Sequence, residues 1–200
     1  MKKLFALLLC IFALLAVVSC KQPEPGASET QVGTPEPKWE AGVIRVRPAE
    51  GAAFPSGDSQ HNKFQFQLSV PYNAGQPIEF LAKFSEDITK ITVRQGEGDN
   101  TRFLDDALVS TLETKDGWYV ISIPGSSVTP MDNEVPVESW LKLGITVRVP
   151  DDTRANCWVA IKDMKINNVP VDFTTWDLED DYIVSYYSVP DNLDIKIVKE

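Results

Sequence analysis

From Trp39 onward, apolar and polar residues alternate in short runs, which is the pattern of half-buried β-strands. Lys63–Val70 shows it most clearly, because phenylalanine, leucine or valine occupies every second position. The pattern predicts eleven strands: Val43–Arg47, Lys63–Val70, Ile78–Phe84, Ile88–Arg94, Ala107–Leu112, Trp118–Ile123, Trp140–Val149, Asn156–Ile166, Val169–Phe173, Tyr182–Tyr187 and Leu193–Val198.

Turn-forming residues separate these runs, and the pair Asp116-Gly117 is typical of a two-residue hairpin. No amphipathic helix of useful length is visible. Each strand has one polar face, which argues against a parallel α/β sheet whose strands are apolar on both faces. The pattern therefore predicts an all-β protein, a sandwich of two antiparallel sheets.

The start of the chain has a different pattern. Lys2 and Lys3 precede an apolar run of about 15 residues, Leu4–Val18. A basic start, a short apolar run and small residues near a cleavage point are features of a secretory signal. The run is shorter than the roughly 18 residues expected of a membrane-spanning helix.

This run ends in Val17-Val18-Ser19-Cys20, which resembles the lipobox of bacterial lipoproteins. The resemblance implies cleavage after residue 19, a lipid on the thiol of Cys20 and acyl chains on its new amino group. An ordinary secretory signal that ends near a cysteine and an uncleaved anchor are the alternatives. The expected cleavage removes residues 1–19 as a signal peptide.

Residues 20–38 contain four prolines and no aromatic residue, so they cannot bury enough apolar surface to fold alone. At about 3.1 Å per residue, such a tether holds a domain on the order of 50 Å from a bilayer. The β-sandwich domain is expected to span residues 39–200. The residue that follows the lipid site is Lys21. An Asp at this position would resemble an inner-membrane retention signal, so the presence of Lys favours the outer membrane or cell surface.

The chain is acidic, with a formal net charge of -10. Loss of Lys2 and Lys3 with the signal leaves 17 basic against 29 acidic residues, a charge near -12. This balance argues against nucleic acid as a partner and against electrostatic attraction to anionic lipids, so acyl chains would hold the protein to the membrane. Only Cys157 remains for the domain, in an apolar stretch that predicts a buried, inert thiol.

In Asp116–Pro124 a Gly-Trp opening leads into an alternating strand that ends Ile-Pro, and Trp140–Val149 is followed by a second long strand, Ala155–Ile166. The first stretch resembles a strand of jelly-roll carbohydrate-binding modules, and the second pair resembles their closing strands. The resemblance covers about Gly117–Ile166 and implies a jelly-roll-like sandwich that binds a glycan without catalysis. It departs from the family after Asp163, since such modules usually end there and about 34 residues follow Ile166 here.

Sugar rings stack their C–H faces on flat aromatic side chains, so exposed tryptophan and tyrosine residues are candidate ligand platforms. The candidates are Trp118, Trp140, Trp158, Tyr186 and Tyr187. The alternative is that these rings pack in the core or at its rim, as aromatic side chains usually do.

A structural calcium ion is also a candidate. The resembling modules often bind one through a Glu near the start and an Asp near the end, positions that Glu40 and Asp163 match. The densest acidic loop offers oxygen ligands of the kind that calcium prefers. Its carboxylates are Asp177, Glu179, Asp180 and Asp181. The alternative is a set of solvated acidic loops, which the net charge already predicts.

Enzyme signatures are missing. His61 is the only histidine, so a histidine-based zinc site is excluded and a serine triad would depend on this residue alone. Gly125-Ser126-Ser127 lacks the nucleophile-elbow spacing. A pair of carboxylates for glycoside hydrolysis is recognised by the distance between them in space, so the sequence leaves this alternative open. We therefore expect a non-catalytic glycan-binding lipoprotein of the cell envelope. Alternatives of the same fold are a module for adhesion or for binding an envelope or host protein, and a structural envelope lipoprotein.

Overall fold

The computed structural model describes residues 36–52, 63–72, 75–95, 102–127, 139–150, 152–177, 183–185 and 193–200. All of them belong to the unit Val32–Glu200. The strands within these residues are β1 (Ile44–Pro48), β2 (Lys63–Tyr72), β3 (Ile78–Phe84), β4 (Lys90–Gln95), β5 (Arg102–Leu108), β6 (Thr114–Lys115), β7 (Trp118–Ile123), β8 (Ser139–Arg148), β9 (Val159–Ile166), β10 (Val169–Pro170), β11 (Ile183–Ser185) and β12 (Leu193–Ile197).

These strands form two antiparallel sheets that pack against each other, which confirms the predicted β-sandwich. Sheet A has the order β12-β1-β9-β3-β7-β6, with β10 paired to β9, and sheet B has the order β11-β2-β8-β4-β5. In chain order, consecutive strands stay in one sheet only at β4–β5, β6–β7 and β9–β10, and every other connection between the described strands changes sheet. Segments distant in sequence therefore become neighbours within each sheet.

The core lies between the sheets and follows from the alternation of the strands. Phe66 and Leu68 of β2 are fully buried and lie opposite Ile145 and Leu143 of β8. Phe80 of β3 is equally buried on the facing side of sheet A. Burial of each such side chain contributes about 1.5–3 kcal/mol, so this layer supplies most of the stabilisation.

One predicted strand, Ala107–Leu112, is wrong in its bounds. The strand β5 begins earlier, at Arg102, and Val109–Thr111 form a short 3-10 helix. The pairing of β4 with β5 shifts register twice, and Asp106 has a positive φ of 46°. Irregularities of this kind break the period-two alternation, which hides the start of the strand from pattern analysis.

Two other predicted strands run into helical turns. The described part of the chain has 3-10 helices at Arg154–Asn156, just before β9, and at Phe173–Thr175, after β10. Nowhere in the described residues is there a helix long and apolar enough to cross a membrane. The predicted hairpin turn is confirmed, because Asp116 and Gly117 join β6 to β7 with φ angles of 52° and 77°, as a type I′ turn requires.

Candidate functional site

The outer face of sheet B carries a polar cleft built on adjacent strands. Gln65 of β2 lies opposite Thr146 of β8, and Lys63 lies opposite Arg148. Across the next ladder, Thr146 lies opposite Thr92 of β4. Their neighbours along each strand face the core, so alternation places these polar side chains on the outer side of the sheet.

We call this feature the sheet B cleft; it encloses about 110 Å³. Its lining consists of four cationic side chains, two carboxylates and three neutral polar groups: Lys63, Arg94, Arg102, Arg148, Asp105, Asp106, Gln65, Thr92 and Thr146. The cleft therefore offers hydrogen-bond donors and acceptors together with an excess of positive charge.

Asp106 organises one side of the cleft. Its carboxylate accepts hydrogen bonds from Nε and Nη2 of Arg148, both at 3.1 Å. The hydroxyl of Thr92 donates to Oδ1 of Asp106 at 3.2 Å and accepts the backbone N–H of the same residue at 3.0 Å. The hydrogen bonding from Arg148 lowers the pKa of Asp106 below its usual range. This two-pronged pairing fixes the orientation of the guanidinium plane.

The cationic groups of the cleft act on one another. Burial, followed by repulsion from Arg148, lowers the pKa of Lys63. Arg102 donates from Nη1 to Oδ1 of Asp105 at 2.6 Å in an exposed pair. Gln65 Oε1 is buried, and no group in the described residues forms a hydrogen bond with it. The cleft thus combines crowded positive charge with an unsatisfied acceptor.

The outer face of sheet A carries a local apolar cluster instead. Trp118 at the start of β7 and Trp158 next to β9 are only 8% and 4% exposed. Trp39 covers both rings, with centroid separations of 6.0 Å to Trp118 and 5.1 Å to Trp158. The ammonium of Lys162 lies 4.7 Å from the centroid of Trp118, a cation–π distance. The prediction that Trp118 and Trp158 are open stacking platforms is therefore wrong, because Trp39 occupies the space beside both rings that a sugar would need.

A buried arginine holds this covering segment in place. Arg45 donates from Nε to Oε1 of Glu36 at 2.9 Å and from Nη1 to the backbone oxygen of Asp194 at 2.8 Å. Glu36 also accepts a 2.6 Å hydrogen bond from the indole of Trp39. Burial alone would raise the pKa of Asp194, but hydrogen bonds from Arg47 and Arg45 bring it below its usual range. Since Glu36 falls within residues 20–38, the contacts of the sandwich begin inside the expected tether.

The remaining predicted platforms are Trp140, Tyr186 and Tyr187. The backbone of Trp140 belongs to β8, where it pairs with Pro71 of β2. The description does not extend to the Trp140 side chain or to Tyr186 and Tyr187. Trp39 is not among the predicted site residues. An aromatic residue at the border between a proline-rich tether and the first strand is a signal that could have indicated its contact with the sandwich.

The predicted calcium ligands are not grouped in the described part of the chain. Glu40 forms an ion pair with Lys162. Asp163 and Asp177 are both exposed. Among the residues that the structure covers, no three His, Cys, Asp or Glu side chains lie close enough to hold a metal. Outside those residues lie Glu179, Asp180 and Asp181. The calcium site stays a prediction.

The single cysteine of the domain behaves as the sequence indicates. Cys157 is fully buried and is not in a disulfide. Burial raises the pKa of its thiol to about 12, so the reactive thiolate is scarce at neutral pH. The prediction of a buried, inert thiol is confirmed.

A second concave surface lies at the edge of sheet A. This apolar groove, of about 400 Å³, is lined by Ile166, Val169, Trp176 and Pro71 among others. Val169 is 64% exposed there, whereas Trp176 packs inward and is only 6% exposed. The groove offers apolar contact and few polar partners, in contrast to the sheet B cleft.

Comparison with family models, with curated proteins and with solved structures gives no match for this chain. The functional proposal therefore depends on the residues and their geometry.

We expect replacement of Trp39 by Ala to uncover Trp118 and Trp158. The change should cost about 1–3 kcal/mol in free energy of unfolding, less than the roughly 3–5 kcal/mol of a fully buried tryptophan, because Trp39 is half-buried. Tryptophan emission should shift to longer wavelength and acrylamide quenching should increase. The exposed neighbour Lys38→Ala is the control, with little expected change. Unchanged quenching in W39A would contradict the covering role.

The lowered pKa of Asp106 predicts a pH-dependent contribution to stability. A carboxylate with a depressed folded-state pKa stabilises the protein above the unfolded value of about 3.9, and this contribution is lost as pH falls through the folded pKa. Urea unfolding between pH 6 and acid pH should therefore show a shallower loss in Asp106→Asn than in the wild type. Asp163→Asn is the matched control, since Asp163 also has a positive φ, 51°. Equal slopes in D106N and wild type would contradict the pairing.

Proposed function

We propose that this chain is a membrane-anchored lipoprotein of the cell envelope, at the outer membrane or cell surface, whose β-sandwich binds a glycan without catalysis. The observation that carries the binding role is the sheet B cleft. Sugar hydroxyls both donate and accept hydrogen bonds, and the cleft presents amide, hydroxyl, guanidinium and carboxylate groups within one small volume. Its strands belong to a well-packed sheet, which keeps these groups in fixed positions.

Trp140 is one of the predicted ligand platforms. Its backbone lies on β8, the strand that also supplies Thr146 and Arg148 to the cleft. Six residues of strand separate Trp140 from Thr146, about 20 Å at the usual rise per residue. Several sugar units span that distance, so an oligosaccharide laid along β8 would reach both positions.

The anchoring role is supported by the sequence of residues 1–20. A short apolar run ends at Val17-Val18-Ser19-Cys20. The domain is acidic, so electrostatic attraction to anionic lipids would not hold it at a membrane. Acyl chains on Cys20 would supply the membrane affinity, and two or more chains are needed for stable anchoring.

The alternative role in protein binding has one observation in its favour, the apolar groove at Val169 and Trp176. Exposed apolar surface of this kind suits a protein partner better than a sugar. The glycan proposal is preferred because the lining of the cleft has both hydrogen-bond donors and acceptors, whereas the lining of the groove has few polar groups.

The lipid anchor predicts that Cys20 is the only acylated cysteine. When the full chain is expressed in bacteria with labelled palmitate, the wild type should incorporate label and Cys20→Ser should not. Cys157→Ser is the matched control and should keep the label, because this thiol is buried in the core. A wild type without label, or a labelled C20S, would contradict the anchor.

The glycan role predicts binding that depends on the cleft. On a glycan array probed with the detergent-solubilised full chain, Gln65→Ala should reduce affinity about 3–10-fold, the effect of losing one hydrogen bond. Trp140→Ala should reduce it as well if the ligand follows β8. Thr114→Ala, an exposed change on β6 in the other sheet, should leave affinity unchanged. An array without any bound glycan would refute the proposal.

A further inference from the structure

We infer that the sheet B cleft recognises the acidic group of a glycan, a carboxylate or sulfate carried on a sugar ring. This inference deepens the proposed glycan binding at the same site and rests on it. The cationic side chains would bind the acidic group, and Gln65 would bind a hydroxyl of the same sugar.

The first step is the sign of the local charge. The chain as a whole carries a formal charge of -10, yet the described residues that line the sheet B cleft include four cationic side chains and two carboxylates. A positive excess in so acidic a protein is a local arrangement and not a consequence of composition. Such a cleft attracts anions over distances within the Debye length.

The second step is that Asp106 offsets the charge of Arg148 without using all of its hydrogen-bond donors. Asp106 is already paired with Nε and Nη2 of Arg148 and accepts from Thr92. A guanidinium has five N–H donors, and Asp106 takes two of those on Arg148. The other three are not used by Asp106, and a ligand oxyanion could accept from them.

The third step concerns Lys63. Burial is the main cause that lowers its pKa, and repulsion from Arg148, Arg102 and Arg94 adds to it, while attraction to Asp106 opposes it. A bound anion would relieve that repulsion and favour the charged form of Lys63. A neutral sugar edge could accept hydrogen bonds from these groups but would not relieve their repulsion.

The fourth step separates a saccharide from a simple anion. The buried Oε1 of Gln65 is an acceptor that forms no hydrogen bond with any described residue. A sulfate or carboxylate ion has no donor to offer it, whereas a sugar hydroxyl does. A ligand with an oxyanion and a hydroxyl on one ring therefore satisfies both sides of the cleft.

The size of the cleft sets how much of the ligand enters. Its volume of about 110 Å³ is below the roughly 300–1,000 Å³ of pockets that enclose a whole small molecule. One substituted edge of a sugar ring fits this space better than a complete ring. The rest of the glycan would extend over the open face of sheet B.

The test uses the full chain in detergent and isothermal titration against four probes. These are polygalacturonate for carboxylates, chondroitin sulfate for sulfate esters, dextran as a neutral glycan, and sodium sulfate alone. We expect at least one acidic glycan to bind ten-fold or more tightly than dextran, with affinity falling as salt increases. The acidic glycan that binds identifies the group recognised.

Charge-removing variants locate the site. Arg102→Gln and Lys63→Gln should each weaken the acidic glycan about 5–10-fold, and Arg102→Lys should restore part of the loss. Lys115→Gln removes the same charge from an exposed position on β6 and should change affinity less than two-fold. Circular dichroism checks that every variant folds, and the two cleft variants are independent of each other.

The outcomes separate this inference from the proposed function. Dextran binding as tight as that of the acidic glycans would overturn the acidic preference and leave glycan binding intact. Absence of binding to any saccharide would overturn both. Sodium sulfate binding as tightly as the acidic glycans, with no effect of Gln65→Ala, would overturn the saccharide part. Equal losses in K115Q and in the cleft variants would overturn the assignment to this cleft.

Discussion

The packing of two sheets on a shared apolar layer is the constraint from which the rest of the structure follows. Phe66, Leu68 and Phe80 are fully buried in that layer. Because side chains alternate, every strand that puts an apolar residue inward must put its neighbour outward. The core therefore fixes which residues face outward, and the two outer faces differ in chemistry because the sequence fills those positions differently.

On sheet A a cluster of outward positions is apolar, and a further side chain covers it. Trp118 and Trp158 would expose two large rings if Trp39 did not lie across them. The cover is held by Arg45, whose side chain is 6% exposed and is paired with Glu36 and Asp194. Removing one partner of so buried an ion pair is costly, because the remaining charge stays without compensation. The segment that leads toward the expected membrane anchor is thus joined to the sandwich through sheet A, whereas the polar cleft lies on sheet B.

The alternation of the sequence was sufficient for the core and the sheets, and insufficient for the sites. The bounds of β3 and β7 follow from period-two patterns that the packing preserves. The start of β5 does not, since the irregular pairing near Asp106 breaks the period. The sequence makes Trp118 a candidate ligand platform because a sequence pattern does not show which residues cover a side chain in the folded protein. Trp39 lies far from it in sequence, and the contact between them depends on tertiary packing alone.

The sheet B cleft escaped the sequence for a related reason. Net charge is a sum over the chain, and a sum of -10 argues against anionic partners only if charges are evenly spread. The antiparallel register instead sets Lys63 against Arg148, and the irregular β5 places Asp106 where it can orient that guanidinium. Among the described residues that line the cleft, cationic side chains outnumber carboxylates, which is opposite to the balance of the whole chain. At a Debye length of about 8 Å in physiological salt, a ligand group inside the cleft responds mainly to the local field, so the acidity of the whole chain does not decide what the cleft can bind.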